Sequence, residues 1–147
     1  NFTWSVDSSN YASVKPMVVD EELVWYYTSY GHNSTNDPWA RRMQINNLPH
    51  NSGDIITVKV QFVKVTDVDG NPSSNKSISV FYGTWTSLSS AIYDENGNPV
   101  TGDAIKLGEW YTLKFTGNGN SYYQLRTFAG TDNGTILVKD ITVTPAS

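Results

Sequence analysis

A chain of 147 residues is long enough to fold as one domain with its own core. Only 16% of its residues are charged, and the aromatic and small polar residues that replace them are typical of a β-rich extracellular domain. The net charge of −4 excludes the basic surface that nucleic acid or an anionic membrane requires, and the lack of cysteine excludes a disulfide scaffold and thiol catalysis.

The sequence predicts one domain over residues 1–147, secreted or exposed on a cell or virion surface. No apolar run approaches the roughly 18 residues of a membrane span. The chain begins at Asn1 and ends in "VTPAS", which resembles the start of a linker. We therefore interpret it as a monomeric module cut from a larger protein, with a processed mature protein as the alternative.

Alternation of apolar and polar residues dominates the chain, and no segment has the 3.6-residue period of an amphipathic helix. The predicted strands are, in chain order, 2–7, 13–20, 22–30, 39–46, 54–67, 76–85, 109–117, 122–130 and 135–144. The longest of them turns Ile56, Val58, Val60 and Phe62 to one face, which predicts a half-buried strand.

Two turn motifs separate the later strands. The segments "DVDGNPSSN" at 67–75 and "YDENGNPVTG" at 93–102 each combine Asp-Gly or Asn-Gly, which supplies a positive φ, with a proline, which ends a strand. Eight or more strands with glycine-rich turns predict an all-β fold, a two-sheet antiparallel β-sandwich of the jelly-roll kind. A closed barrel is the lesser alternative.

Catalytic patterns are missing from the sequence. His32 and His50 lie in loop-like segments without an HExxH or GxSxG context, and we predict both to be exposed loop residues. Most acidic residues lie in turns, and those at 20–22 are consecutive, so neighbours point to opposite sheet faces. The sequence therefore predicts that the protein is not an enzyme. A small β-sandwich hydrolase or lyase, built from residues distant in sequence, stays open as an alternative.

A structural calcium ion is the one cofactor that the sequence suggests, because sandwich loops supply the oxygen ligands that calcium takes. Asp140 has the parity of Ile136 and Val138 in the last strand, and a carboxylate buried there needs a cation or hydrogen-bond donors. Asp7, at the end of the first strand, would meet Asp140 if the terminal strands pair. A solvent-facing Asp140 is the alternative.

The segment 24–39 mixes aromatic rings with polar residues, a combination that neither an ordinary loop nor a core requires. Trp25 and Tyr27 share the parity of Leu23 and are predicted to be buried, whereas Tyr26 and Tyr30 point the other way. Trp39 and Trp85 stand at loop ends, where they would form a rim. For Trp110, which opens its strand beside a turn, a packed and an exposed position are both open.

The polar face of the predicted strand 54–67 adds hydrogen-bonding residues to these aromatic rings. If Ile56 and its partners face the core, Lys59 and Gln61 lie on the opposite face of the same sheet. Parity adds residues of neighbouring strands to that face, namely Arg42, Gln44, Ser79, Phe81, Tyr122, Gln124 and Arg126. Rings beside such donors suit sugars, because a pyranose stacks its C–H face on a ring while its hydroxyls hydrogen-bond at the rim.

Three segments, 40–65, 107–120 and 122–143, resemble jelly-roll carbohydrate-binding modules of the family 4, 9, 16 and 22 type. The matching positions are Leu48, Gly53, Gly108, Trp110, Leu113, Val138, Asp140, Ile141 and Val143. The resemblance covers about two thirds of the chain, from Ala40 onward. The first strand lacks the family's "N-x-(D/G)-F-E" signature, and 24–39 has no matching position.

The resemblance implies a non-catalytic module whose concave sheet binds a polysaccharide, often with a structural calcium near the terminal strands, where Asp140 falls at the usual carboxylate position. We therefore predict an accessory module of a glycoside hydrolase that binds a polysaccharide of the β-glucan, xylan or mannan type. The predicted ligand-binding residues are Tyr26, Tyr30, Trp39, Arg42, Gln44, Trp85, Tyr122, Gln124 and Arg126, and the predicted metal ligands are Asp140 and Asp7. The alternative is a saccharide-binding adhesion domain of a bacteriophage tail or baseplate or of a cell-surface protein.

Overall fold

The computed structural model describes residues 1–6, 10–30, 42–83, 86–128 and 132–146. In these ranges the chain forms twelve β-strands and one short 3-10 turn, Gly102–Ala104. The strands are β1 (Thr3–Val6), β2 (Ala12–Val19), β3 (Glu22–Ser29), β4 (Arg42–Asn46), β5 (Ile55–Thr66), β6 (Ile78–Tyr82), β7 (Thr86–Leu88), β8 (Ser90–Tyr93), β9 (Pro99–Val100), β10 (Trp110–Thr116), β11 (Tyr122–Thr127) and β12 (Asn133–Thr144). None of the described residues belongs to a helix long and apolar enough to cross a membrane.

The strands form two sheets. One has five strands in the order β1-β4-β11-β6-β7, and the other has seven in the order β2-β3-β12-β5-β10-β8-β9. Every pairing is antiparallel, and many neighbours are distant in sequence, such as β4 beside β11 and β12 beside β3 and β5. The predicted β-sandwich of the jelly-roll kind is confirmed.

The core lies between the sheets and follows the alternation read from β5. Ile56, Val58, Val60 and Phe62 are all fully buried, as predicted. Burial of each such side chain contributes roughly 1.5–3 kcal/mol. Because β5 pairs with β10 on one side and β12 on the other, it lies inside the seven-stranded sheet and has no free edge along most of its length.

Both predicted turns form, and an aspartate braces each of them. The Asp67 carboxylate accepts hydrogen bonds from the backbone N–H groups of Asp69 and Asn71, at 2.9 Å each. Asp94 accepts in the same way from Asn96 and Asn98, also at 2.9 Å. The "DVDGN" segment is therefore a hairpin turn, as its sequence predicts.

The burial predicted from alternation along β3 agrees with the structure near the middle of the strand but not at its start. Tyr27 is fully buried, as predicted, whereas Trp25 was predicted to be buried but is only partly buried where it packs against the core. Leu23 has the same parity but is 60% exposed, because it lies at the strand end beyond the core.

Within the predicted strand 76–85 the structure describes one shorter strand, β6, and β7 follows as a separate strand that the sequence did not predict. Gly83 has φ +60 after the end of β6, and β7 then returns antiparallel to β6. The sequence prediction also missed β8 and β9, which have four and two residues. Strands this short carry too few alternating positions to give a periodic signal.

One end of the sandwich is closed by His50, so the prediction that it is an exposed loop residue is wrong. Its Nδ1 lies 2.7 Å from the carbonyl oxygen of Leu48, and its Nε2 accepts a hydrogen bond from the N–H of Gly119 at 3.1 Å. The Tyr123 hydroxyl lies 2.5 Å from the same Nε2. His32 lies outside the described residues.

Candidate functional site

Five of the residues predicted to bind ligand lie together on the outer side of the five-stranded sheet. Since Met43 and Leu125 are fully buried, the residues that alternate with them on β4 and β11 point away from the core. Gln124 stands opposite Gln44, and Arg126 stands opposite Arg42. We call this surface the five-stranded face, which comprises Arg42, Gln44, Asn46, Ser79, Phe81, Tyr122, Gln124 and Arg126.

A hydrogen-bond network centred on Gln124 fixes the polar side chains of this face. Arg42 Nη1 donates to Gln124 Oε1 at 2.6 Å, and Arg126 Nη2 donates to the same oxygen at 3.3 Å. Gln124 Nε2 donates to Gln44 Oε1 at 3.5 Å, and Gln44 Nε2 donates to Asn46 Oδ1 at 2.7 Å. Gln124 is only 3% exposed, so the network holds it in one orientation beneath its neighbours.

Two rings lie on the same face. The guanidinium carbon of Arg126 is 3.8 Å from the centre of the Phe81 ring, which is a close cation–π contact. Tyr122 stands beside Asn46, one pleat along β11 from Gln124, and is half-buried. The network therefore has an aromatic side chain beside each of its two ends.

The five-stranded face also differs from the rest of the chain in charge. The chain has 14 acidic residues, but the five strands of this sheet contain none. Among the described strands, the hydrogen-bonding groups on this face are therefore amides, guanidinium groups and hydroxyls. Such groups donate and accept hydrogen bonds with neutral hydroxyls without a change in protonation.

The prediction that Lys59 and Gln61 share this face is wrong. Both lie on β5, which belongs to the seven-stranded sheet, so they are on the opposite outer face of the sandwich. Tyr26 is there as well, because it stands opposite Leu137, which stands opposite Gln61. Alternation along β5 correctly separated inner from outer residues but carried no information about which sheet the strand joins.

Tyr30 was also predicted to bind ligand, but it does not join the five-stranded face. Tyr30 follows β3, is 42% exposed and lines a depression with Thr28 and Lys64 on the seven-stranded side. Trp39 and Trp85 lie outside the described residues.

The premises of the predicted calcium site are also wrong. Asp140 is exposed, because a bulge between Lys139 and Thr142 gives it φ +52 and removes it from the parity of Val138. Strands β1 and β12 belong to different sheets, so these terminal strands do not pair with each other, and Asp7 lies outside the described residues. Within the described ranges, no group of three or more His, Cys, Asp and Glu side chains could hold a metal ion. The described residues therefore do not fit this site.

The sequence analysis missed Asn46, although the signal was present. Asn46 lies two positions after Gln44 on β4 and therefore has the same parity. Its side chain joins the network and also reaches β1 through a 3.0 Å hydrogen bond to Ser5 Oγ.

Comparison with known proteins gives structural likeness only. No protein-family model matches the chain, and no curated protein matches it significantly. One matching solved structure is the X-ray crystal structure of CBM28, a carbohydrate-binding module specific for non-crystalline cellulose. The match covers 99% of this chain and 88% of that chain, with 12% sequence identity and a TM-score of 0.54. Another is a CBM4 structure, with 17% identity and a TM-score of 0.45 over 98% and 86% of the two chains. The chain therefore has the sandwich fold of the CBM28 module, and the predicted resemblance to carbohydrate-binding modules is confirmed for the fold.

Proposed function

We propose that this chain is a non-catalytic carbohydrate-binding module and that a polysaccharide lies along the five-stranded face. The observation that carries the proposal is the network in which Gln124 holds Arg42, Arg126 and Gln44 side by side between two rings. Side chains that are already fixed lose little conformational entropy when a ligand binds.

The chemistry of the face suits a chain of neutral pyranoses. Amide and guanidinium groups pair with hydroxyls in their plane, while Tyr122 and Phe81 offer ring surface to the C–H faces of the sugars. Since the face is an open sheet surface, a long polymer can lie across it without threading into a pocket. The matched CBM28 module is specific for non-crystalline cellulose, which supports a ligand of the β-glucan, xylan or mannan type.

The same face is poorly suited to hydrolysis. Glycoside hydrolysis uses two carboxyl groups on either side of the scissile bond, and the strands of this sheet carry none. We infer that the chain acts as an accessory module of a secreted glycoside hydrolase and holds the polysaccharide near the enzyme.

Affinity electrophoresis through gels containing hydroxyethylcellulose, xylan, galactomannan or a bacterial cell-wall polysaccharide tests the proposal, with calcium and with a chelator. We expect retardation by one plant polymer, and we expect Gln44→Ala to weaken it. Gln61→Ala is the matched control, because it removes the same side chain from the opposite outer face.

Retardation only by the bacterial polysaccharide would favour the adhesion-domain alternative. Equal loss in Gln44→Ala and Gln61→Ala would show that the five-stranded face is not the binding surface. A wild-type chain that no gel retards would contradict the proposed function itself.

A further inference from the structure

A groove of about 720 Å³ lies on the outer side of the seven-stranded sheet, away from the five-stranded face. Its base is formed by side chains of three neighbouring strands, with Lys59 on β5, Trp110 and Thr112 on β10, and Lys139 on β12. None of these residues takes part in the network around Gln124.

The sides of this groove are held by hydrogen bonds rather than by loose loops. On one side the Asp94 carboxylate braces the turn between β8 and β9. On the other side the Tyr111 hydroxyl accepts the N–H of Lys106 at 2.8 Å and donates to the Glu109 carboxylate at 3.2 Å. The N–H of Gly108 donates to the carbonyl of Phe62 at 2.9 Å, which ties the same side to β5. The groove is therefore preformed.

The base of the groove contains an aromatic ring next to fixed donors. Lys139 Nζ lies 4.2 Å from the centre of the Trp110 ring and 2.9 Å from the Glu22 carboxylate. Lys59 Nζ donates to Thr112 Oγ1 at 3.0 Å. Glu22 is 53% exposed, so its pairing with Lys139 is weak and a ligand can displace the ammonium group from the ring.

The charges in the groove nearly cancel. Three lysines and four acidic residues line it, among them Lys59, Lys106, Glu109 and Asp140. A polyanion would be repelled by the carboxylates and a polycation by the ammonium groups. A neutral ligand with many hydroxyls can instead donate to the carboxylates and accept from the lysines.

Asp140 is held in a strained conformation beside this groove. It has φ +52 in the bulge between Lys139 and Thr142, in the left-handed region that favours glycine. β-Bulges re-aim side chains next to functional sites, and strained residues concentrate at such sites. The bulge exposes the Asp140 carboxylate at the edge of the groove.

From these observations we propose that the groove is a second saccharide-binding site, which takes a neutral oligosaccharide chain independently of the five-stranded face. A pyranose stacks on Trp110 in place of the Lys139 ammonium group. Lys59 and Lys139 donate to its hydroxyls, and Asp140 and Glu109 accept from them.

Titration of the ¹⁵N-labelled chain with cellohexaose, xylohexaose and mannohexaose tests this site. We expect at least one hexaose to shift the indole N–H signal of Trp110, assigned with Trp110→Phe, together with the amides of Thr112 and Lys139. The shifts should saturate with their own Kd and persist in Gln124→Ala. Shifts confined to the amides of the five-stranded face, or no shift with any hexaose, would overturn the second site. Only the latter result would also count against the proposed function.

The Asp140→Gly variant distinguishes a loss of ligand binding in the groove from a loss of folding. Glycine adopts φ +52 without strain, so the Tm of the variant should equal that of the unaltered chain. The Kd of the groove for the hexaose should rise at least about fivefold. Asp20→Gly is the matched control, because Asp20 is an exposed aspartate with φ +51 in the turn between β2 and β3. An equal Kd in the two variants would show that Asp140 does not contact the ligand and would contradict the proposal.

Discussion

The two outer faces of the sandwich are built on the same antiparallel pleat but hold their polar groups in place by different means. On the five-stranded face, side chains fix one another through amide and guanidinium hydrogen bonds, and the strands carry no acidic residue. On the seven-stranded face, braced turns and a backbone bulge position lysines among carboxylates. The first arrangement depends on a few shared atoms, so single substitutions should disrupt it more than the second.

The largest expected effect is that of Gln124→Ala on binding to the five-stranded face. Its Oε1 accepts from two arginines, and hydrogen bonds to charged groups contribute about 1.5–3 kcal/mol each. Without it, Arg42 and Arg126 lose their common partner and their fixed orientation. We expect polysaccharide affinity, measured by isothermal titration calorimetry, to fall at least about tenfold.

Gln61→Ala is the control for this substitution, since it removes the same side chain from the opposite outer face. Its affinity should equal that of the unaltered chain. Thermal unfolding of both variants distinguishes lost binding from lost folding. An unchanged Kd in a folded Gln124→Ala variant would show that the network does not organise the binding surface.

A second prediction compares two tyrosines on opposite faces. Tyr122→Ala removes a ring from the five-stranded face, and loss of a stacking ring costs about 1–3 kcal/mol of binding free energy by analogy with base–aromatic stacking. Tyr26→Ala removes a ring of the same type from the seven-stranded face, outside the groove. Polysaccharide affinity in gels should fall for Tyr122→Ala and stay unchanged for Tyr26→Ala. The reverse result would place the main binding surface on the seven-stranded sheet.

The sequence predicted the fold well because alternation is a local property. Inward-facing side chains of β5 could be identified from that strand alone, and all four are buried. The turn chemistry of Asp67 and Asp94 is equally local, since each carboxylate accepts from N–H groups two and four positions later. Such features need no knowledge of distant partners.

The site was predicted only in part, because faces are assembled from strands distant in sequence. Arg42 and Arg126 were grouped correctly, but Lys59 was assigned to the same sheet because parity along a strand does not identify the sheet it joins. The exposure of Asp140 depends on a register shift between β12 and β5, which no pattern within β12 reveals. His50 was misjudged for the same reason, since its partners lie near residues 119 and 123.

The smallest effect concerns Asp54, which belongs to the connection from the five-stranded to the seven-stranded sheet. Its carboxylate accepts hydrogen bonds from the N–H of Asn51 at 2.8 Å and of Ala146 at 3.2 Å. These two hydrogen bonds hold the pKa of Asp54 below its usual 3.8, and the bond from Asn51 has the larger effect. The ionised carboxylate therefore stabilises the fold.

The pKa of Asp54 is lower in the folded than in the unfolded chain. Its contribution to stability is therefore complete above about pH 4 and is lost as the pH falls through the pKa of the folded chain. We expect the unfolding free energy of Asp54→Asn, measured by urea denaturation between pH 2.5 and 6, to decline less towards acid than that of the unaltered chain. Asp103→Asn, at an exposed position in the 3-10 turn, is the control for the substitution itself. Asp54 contacts neither outer face, so the Kd for polysaccharide at neutral pH should stay the same in both variants. If instead Asp54→Asn weakens binding at one face alone, the connection between the sheets takes part in shaping that face.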